Sequence, residues 1–262
     1  MRYSLYQMEI KAGDADENRR KVKDWADEVC KGEEKPDILV LPEMWTTGYT
    51  LEELDERAEE DGAETIPFLK GLAKQHDVHM IGGSVANKKA GGIYNSAFVV
   101  NAKGELVYSY DKIHLVPMLN EPAFLTGGEE KVAVFELDGV KMGVIVCYDL
   151  RFPELARQLA LDGAQVLHIV AEWPDARSTH WEVLQQARAI ENQFYVVSVN
   201  CVGGYNGTTY AGRSMVTNPW GECLVKGDAR AEETLSLQLN LEQTKQIRKD
   251  VPVFKSRRPE FY

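Results

Sequence analysis

The sequence predicts an α/β protein whose sheets mix parallel and antiparallel strands. Three observations carry this. Helical patterns alternate with short apolar runs. Strand-like runs joined by tight turns interrupt that alternation, which excludes a purely parallel doubly wound sheet. The 262 residues hold no internal repeat, low-complexity tract or Pro/Ser-rich linker, so residues 1–262 read as one domain. A C-terminal tail, from about residue 240 to 262, is expected to serve packing or dimerisation.

The elements follow in order. Asp16 to Lys31 reads as a helix, because Val22, Trp25, Ala26 and Val29 recur at helical spacing and Gly32 stops it. Ile38 to Leu41 reads as a buried strand. A helix-like stretch from Thr65 to Gln75 precedes a strand from Val78 to Ile81, with Gly82-Gly83 as a turn. Ser96 to Val100 and Glu105 to Tyr110 flank an Asn-Ala-Lys-Gly turn and read as a hairpin. Lys131 to Leu137 and Val140 to Cys147 make a second hairpin around Asp138-Gly139. Pro153 suits the first turn of a helix that reaches Leu161 and stops at Asp162-Gly163. Gln165 to Val170 is a strand, Thr179 to Asn192 a helix and Phe194 to Val199 a strand. Arg213 to Val216, Glu222 to Val225 and Thr234 to Leu239 complete the strands.

Composition narrows the function classes. Apolar residues at 44% and charged residues at 27% exclude disorder and coiled coil. No apolar run approaches the ~18 residues of a membrane span, and Met1 to Ile10 lacks the features of a signal peptide. Thirty basic against 41 acidic residues give −11, which argues against nucleic acid and anionic membrane as partners. Four cysteines without a CxxC pair make no disulfide framework, so a reducing, cytoplasmic setting is expected.

Three reactive side chains stand at three strand ends, where α/β proteins gather catalytic groups. Glu43 lies in ILVLPEMWTTGY, Lys112 in LVYSYDKIHL and Cys147 in GVIVCYDLRFPE. Each alone also fits an ordinary role: a solvated loop glutamate, a surface lysine, an inert core thiol. The surroundings of Cys147 favour chemistry. A sharp strand-turn-helix passage would expose the thiol, and the unpaired N–H groups of the oncoming helix would favour a thiolate. The backbone N–H of Tyr148 would face a developing oxyanion, by mechanical analogy with hydrolase elbows.

The segments LPEMWTTGY, YDKIHL, VCYDLRFPE, HWEVLQQARAIENQFYVVSVN and GRSMVTNPWGE resemble, in order and over roughly residues 1–240, the nitrilase superfamily of carbon–nitrogen hydrolases. The resemblance implies a four-layer αββα sandwich with two mixed β-sheets, and a homodimer. It implies a Glu43-Lys112-Cys147 triad, with the family's second glutamate at Glu121 in LNEPAFLTGGE. Glu43 would be the base, Cys147 the nucleophile, and Lys112 with the Tyr148 N–H the oxyanion donors. Glu121 would orient Lys112 or substrate, or else be an acidic loop residue beside Pro122. No metal and no organic cofactor is expected.

Other features read as structural. Cys201 follows a valine-rich strand but lacks a Pro-started helix, so it reads as core or interface. Cys30 and Cys223 read as structural too. His76, His79, His114, His168 and His180 form no metal-ligand pair. Gly203 to Gly207 lacks a P-loop's Gly-Lys-Ser/Thr and reads as a plain loop. The acidic run Glu52 to Glu64 reads as a solvated helix face or part of a lid near Glu43.

AEWPDARSTHW and LPEMWTTGYT resemble the omega-amidase branch, which hydrolyses the terminal amide of 2-oxoglutaramate or 2-oxosuccinamate. Such a small-molecule amide substrate carries a carboxylate, so the pocket needs a cation. Arg177 would supply a bidentate fork, or else be a surface loop arginine. Trp45, Tyr49 and Trp173 would wall the pocket, with Tyr49 donating a hydrogen bond. Arg151 is the rival cation, but its place just past Cys147 suggests a structural salt bridge. Alternatives are another amidase, nitrilase or N-carbamoyl amine hydrolase, or a non-catalytic binding or thiol-redox protein.

Overall fold

Ile38 and Val40 bury their side chains in one apolar layer, Leu39 and Leu41 in another. This two-residue period turns one short strand into a partition between two cores. The computed structural model describes residues 1–261. Its first half runs β1 (Arg2–Gln7), α1 (Ala15–Val29), β2 (Ile38–Val40), α2 (Leu54–Arg57), β3 (Glu59–Glu60), α3 (Thr65–His76), β4 (His79–Lys89), β5 (Gly92–Val100) and β6 (Leu106–Asp111). The second half begins with β7 (Phe135–Leu137), β8 (Val140–Val146), α4 (Pro153–Leu161), β9 (Val166–Ala171), α5 (Ser178–Asn192) and β10 (Tyr195–Asn200). It ends with β11 (Gly204–Tyr205), β12 (Thr208–Thr209), β13 (Met215–Thr217), β14 (Cys223–Lys226), β15 (Glu233–Gln238) and α6 (Glu242–Asp250).

One sheet has the order β15-β1-β2-β4-β5-β6, with β3 beside β4; the other has the order β14-β13-β10-β9-β8-β7. Both are mixed. In the first sheet β1, β2 and β4 run parallel, flanked by antiparallel β15 and β5. In the second β8, β9 and β10 run parallel, flanked by antiparallel β7 and β13. Tyr3, Leu5, Val40 and Val99 of the first sheet share a core with Val144, Val146 and Val170 of the second. Helices α1 and α3 cover the outer face of the first sheet through Val22, Trp25, Leu69 and Leu72. Helices α4 and α5 cover the second through Ala156, Leu159, Trp181 and Ala189. The arrangement is the expected αββα sandwich.

Tyr3 links the facing sheets. Its hydroxyl lies 3.2 Å from His168 Nε2, while His168 Nδ1 lies 3.0 Å from the Gly143 carbonyl. That carbonyl only accepts, so Nδ1 carries the proton and Nε2 accepts from Tyr3. Burial lowers the His168 pKa to about 4.

Several expectations change. Gly82-Gly83 is no turn: β4 runs through it as a bulge opposite β5. Gly83 has φ +64°, and an added Cβ would sit 2.1 Å from the Pro42 carbonyl oxygen, so only glycine fits. Gly203 to Gly207 holds β11 and the turn to its partner β12 rather than a plain loop. Arg2–Gln7, not read as a strand, pairs with both β2 and β15. The acidic run divides into a 3₁₀ turn, α2, β3 and a further turn. The tail folds back on the second sheet. Arg248 donates to the Ala164 carbonyl at 2.6 Å, and Gln193 to the Val251 carbonyl at 2.7 Å.

Candidate active site

The Gly82-Gly83 bulge shapes the loop that carries Glu43. Ser84 N donates to the Pro42 carbonyl, and Met44 N and Trp45 N donate to Ser84 Oγ and the Ser84 carbonyl. Those bonds stop the chain after β2 and leave Glu43 fully buried at the strand end. Lys112 follows β6, and its N–H donates to the Asn95 carbonyl of β5 at 2.9 Å. Cys147 follows β8 with φ +46°, an unusual conformation for a non-glycine residue, and opens the 3₁₀ turn Cys147–Arg151.

Asp149 anchors that turn. Its Oδ1 accepts from His114 N and lies 2.8 Å from His114 Nδ1. Its Oδ2 accepts from the Tyr110 hydroxyl and Val146 N. Four buried or half-buried donors on one carboxylate fix the elbow between β8 and α4.

The three strand ends meet in one ion cluster. Lys112 Nζ lies 2.9 Å from Glu43 Oε1 and 2.8 Å from Glu121 Oε1, with every partner fully buried. Glu43 Oε1 also accepts from Asn95 Nδ2 at 2.7 Å and the Tyr49 hydroxyl at 3.1 Å. Glu43 Oε2 accepts the main-chain N–H of Glu172 at 2.7 Å. Glu121 Oε1 accepts from Tyr49 at 2.5 Å, and its Oε2 accepts from Val116 N at 2.6 Å. Burial opposes the Lys112 charge, but Glu43 and Glu121 outweigh it and hold the ammonium strongly protonated. Burial, then the Glu43 charge, pushes the Cys147 thiol well up, against a smaller pull from Lys112.

That corrects the expected exposed thiolate. Cys147 is 3% exposed, and its five-residue turn separates it from the N-terminus of α4. The thiol rests protonated, so attack needs a base beside it.

A narrow recess opens over Cys147, lined by Val116, Met118, Leu119, Tyr148, Arg151, Trp173, Pro174 and Arg177. Tyr148, Arg177 and Trp173 thus share one recess with Cys147. Trp173 is held by bonds from its Nε1 to the Arg177 carbonyl and from its N to Asn200 Oδ1. Trp45 does not wall the recess. Its indole turns into the core under α3 and donates to the Gly82 carbonyl at 2.8 Å. Tyr49 spends its hydroxyl proton on the two carboxylates, not on a ligand. Arg151 makes no salt bridge among the described residues. It stacks on Trp173 at 4.7 Å and on Tyr148 at 5.6 Å, lies 3.2 Å from His180 Nδ1, and leaves Nε buried without a hydrogen-bond partner among the described residues. Cys201 is buried core, Cys30 half-buried and Cys223 exposed. Among the described residues no cluster of metal-ligating side chains forms.

Sequence reasoning missed Asn95, Asp149 and Glu172. Asp149 follows Cys147 by two and carried the only local signal. Asn95 and Glu172 reach Glu43 across the fold, which no spacing reveals.

A family model described as carbon-nitrogen hydrolase matches residues 2–249. A hydrolase in the agr operon of Staphylococcus aureus is 43% identical over 100% of both chains. A 2-oxoglutaramate amidase of Bacillus subtilis (strain 168) is 41% identical over 99% of this chain and 98% of its own. A CN-hydrolase superfamily protein of Xanthomonas campestris, solved with an arsenic adduct in its active site, has a TM-score of 0.90 and 29% identity. The match covers 98% of this chain and 97% of that one. The chain therefore belongs to the carbon-nitrogen hydrolase family of the nitrilase superfamily, enzymes that cleave carbon–nitrogen bonds.

Proposed function

We propose that this hydrolase is an omega-amidase, converting 2-oxoglutaramate or 2-oxosuccinamate to the 2-oxo diacid and ammonia. One observation carries the reading. Arg151 and Arg177 line the same recess as Cys147, and no carboxylate within ion-pair range balances either among the described residues. Burial, with the neighbouring Arg177 charge contributing, lowers the Arg151 pKa, so the pair gains from an anion between them. A chain of net charge −11 that keeps two such guanidiniums over its nucleophile suits a carboxylate-bearing substrate. The similarity to a 2-oxoglutaramate amidase supports the same substrate class.

In this mechanism Glu43 takes the Cys147 proton as sulfur attacks the amide carbon. Lys112 and the Tyr148 N–H stabilise the oxyanion. The oxyanion collapses, the C–N bond breaks, and Glu43 gives its proton to the leaving nitrogen, so ammonia departs from a thioester. Glu43 then deprotonates a water that attacks the thioester. The C–S bond breaks and the proton returns to sulfur. Glu121 orients Lys112 throughout. The recess leaves only about 20 Å³ for water-sized molecules, about one water. Met118 and Leu119 at its rim must shift to admit the substrate.

We assign the enzyme to the cytoplasm, where its four free cysteines stay reduced. We also assign a homodimer through α5. Val183 and Ile190 stand seven residues apart on one face of α5, each more than half exposed, and the Gly221 turn beside exposed Trp220 presses on Ile190. The test of function is ammonia release from 2-oxoglutaramate, glutamine, asparagine, a simple aliphatic amide, a nitrile and an N-carbamoyl amino acid. The 2-oxo acid amide should give the highest kcat/KM. A neutral amide or carbamoyl compound turned over faster would sink the reading.

A further inference from the structure

A third buried carboxyl group lies near the cluster of Lys112, Glu43 and Glu121. Glu172 directly follows β9, and the strand period puts its side chain on the face of His168, towards the first sheet. It is 1% exposed, and neither carboxyl oxygen has a hydrogen-bond partner among the described residues. The Tyr210 phenol lies beside it without reaching ordinary hydrogen-bond geometry. Glu43, by contrast, accepts from Lys112, Asn95, Tyr49 and the main-chain N–H of Glu172 itself. One residue thus stabilises the Glu43 charge with its backbone while its own carboxyl has only the Tyr210 phenol beside it. An ionised carboxylate placed so would lie desolvated next to two others, at a cost a neutral acid avoids. Burial pushes the Glu172 pKa well above the carboxylate range, the Glu43 charge adds to this, and Tyr210 and Lys112 oppose it only in part.

We propose that Glu172 is a positioning residue of the hydrolytic centre: its carboxyl works as a neutral acid, leaving the Lys112 charge to Glu43 and Glu121 and keeping Glu43 the base of the pocket. The proposal rests on Glu43 being the base. The ionisable groups around Glu172 come from several segments: Glu43 after β2, Lys112 after β6, Glu121, Cys201 after β10 and Tyr210 after β12. Only Lys112 among them is cationic. Once Glu172 loses its proton, the added negative charge opposes both thiolate and oxyanion, so the rate falls at alkaline pH.

The test compares whole wild-type enzyme with Glu172→Gln, and with Glu172→Met as a second neutral replacement should the first misfold. Infrared difference spectra at neutral pH should show a protonated-acid carbonyl band lost with the substitution. The alkaline limb of the variant's kcat/KM profile should move up by at least about one pH unit or vanish. Loss of carboxylate bands instead of an acid band would overturn the proposal. So would superimposable pH profiles. The infrared arm needs no substrate, so it stands or falls apart from the omega-amidase assignment. Normal acylation in Glu43→Gln would remove the base assignment and leave the infrared result untouched.

Discussion

Glu121 Oε1 lies 2.8 Å from Lys112 Nζ, and both side chains are fully buried. The same oxygen accepts from Tyr49, so one atom sets the direction of the ammonium and of the phenol. Replacing Glu121 by Gln removes a charge that Lys112 was built against. Breaking a buried pair on one side costs ~3–5 kcal/mol, so urea unfolding should show a clear loss. Misdirecting an oxyanion donor should also lower kcat by on the order of 10²-fold, with KM little changed. A variant that raises KM alone would place Glu121 against substrate and not behind Lys112.

The two buried cysteines should separate cleanly. Cys147 opens a strained turn into the recess, while Cys201 is packed in the core with its thiol also raised by burial. Cys147→Ala should keep its fold by circular dichroism and release no ammonia. Cys201→Ala should keep most of its activity. Turnover by pure Cys147→Ala would end the nucleophile assignment.

Glu43→Gln and Lys112→Ala should fail at different steps. The protonated resting thiol makes the base indispensable for acylation, so Glu43→Gln should scarcely form a thioester. Lys112→Ala loses oxyanion stabilisation, typically about 10²–10³ in rate, and strands Glu43 and Glu121 without their cation. Mass spectrometry in single turnover distinguishes them. A thioester at normal rate in Glu43→Gln would contradict the base role.

Glu43, Lys112 and Cys147 stood out because each follows a strand and the motifs around them resemble a known family; each residue alone fitted an ordinary role. What happens past those strand ends was not legible. Cys147 looks exposed from its strand-turn-helix passage. Yet the 3₁₀ turn held by Asp149 folds it inward, and that depends on His114 and Tyr110 far along the chain. Trp45 sits two residues from Glu43 and so looked like a pocket wall. The Gly83 bulge points it into the core instead. Arg151 looked paired because a charge near a turn usually is; only its aromatic neighbours show otherwise. Strand Arg2–Gln7 and helix Glu242–Asp250 escaped because partners bury them, and α6 buries just Thr244 and Ile247.

His168 should make stability fall in mild acid. Its folded pKa of about 4 lies below the ordinary 6.5, so the unfolded chain binds the extra proton first. The neutral form's contribution is complete above about pH 6.5 and is lost as pH falls towards 4, roughly 3 kcal/mol in all. Protonation would also set two donors, Tyr3 and Nε2–H, against each other. Urea unfolding from pH 7 to 4 should therefore show a shallower decline in His168→Leu than in wild type, even if that variant starts less stable. Parallel declines would show that His168 does not titrate on unfolding.

Substrate choice tests the two arginines. A pocket built for a carboxylate leaves its cations unpaired around a neutral amide of similar size, which weakens that substrate. Truncating one partner of a buried charge pair costs on the order of 2–5 kcal/mol, so Arg177→Met should lower kcat/KM for 2-oxoglutaramate by two to three orders of magnitude. Hydrolysis of propionamide should change little. Arg151→Met is the necessary companion, since Arg151 sits on the same recess and is held by Trp173 rather than by any acid. The measurement is the ratio of kcat/KM for the two amides in wild type, each single variant and the double. A drop in the ratio for one variant names the residue that grips the carboxylate, and drops in both make it a two-point clamp. Equal losses on both amides would instead mean a collapsed loop, since Arg177 also offers its carbonyl to Trp173. A ratio unchanged in all three variants would show that the carboxylate binds elsewhere and that the arginines serve another purpose.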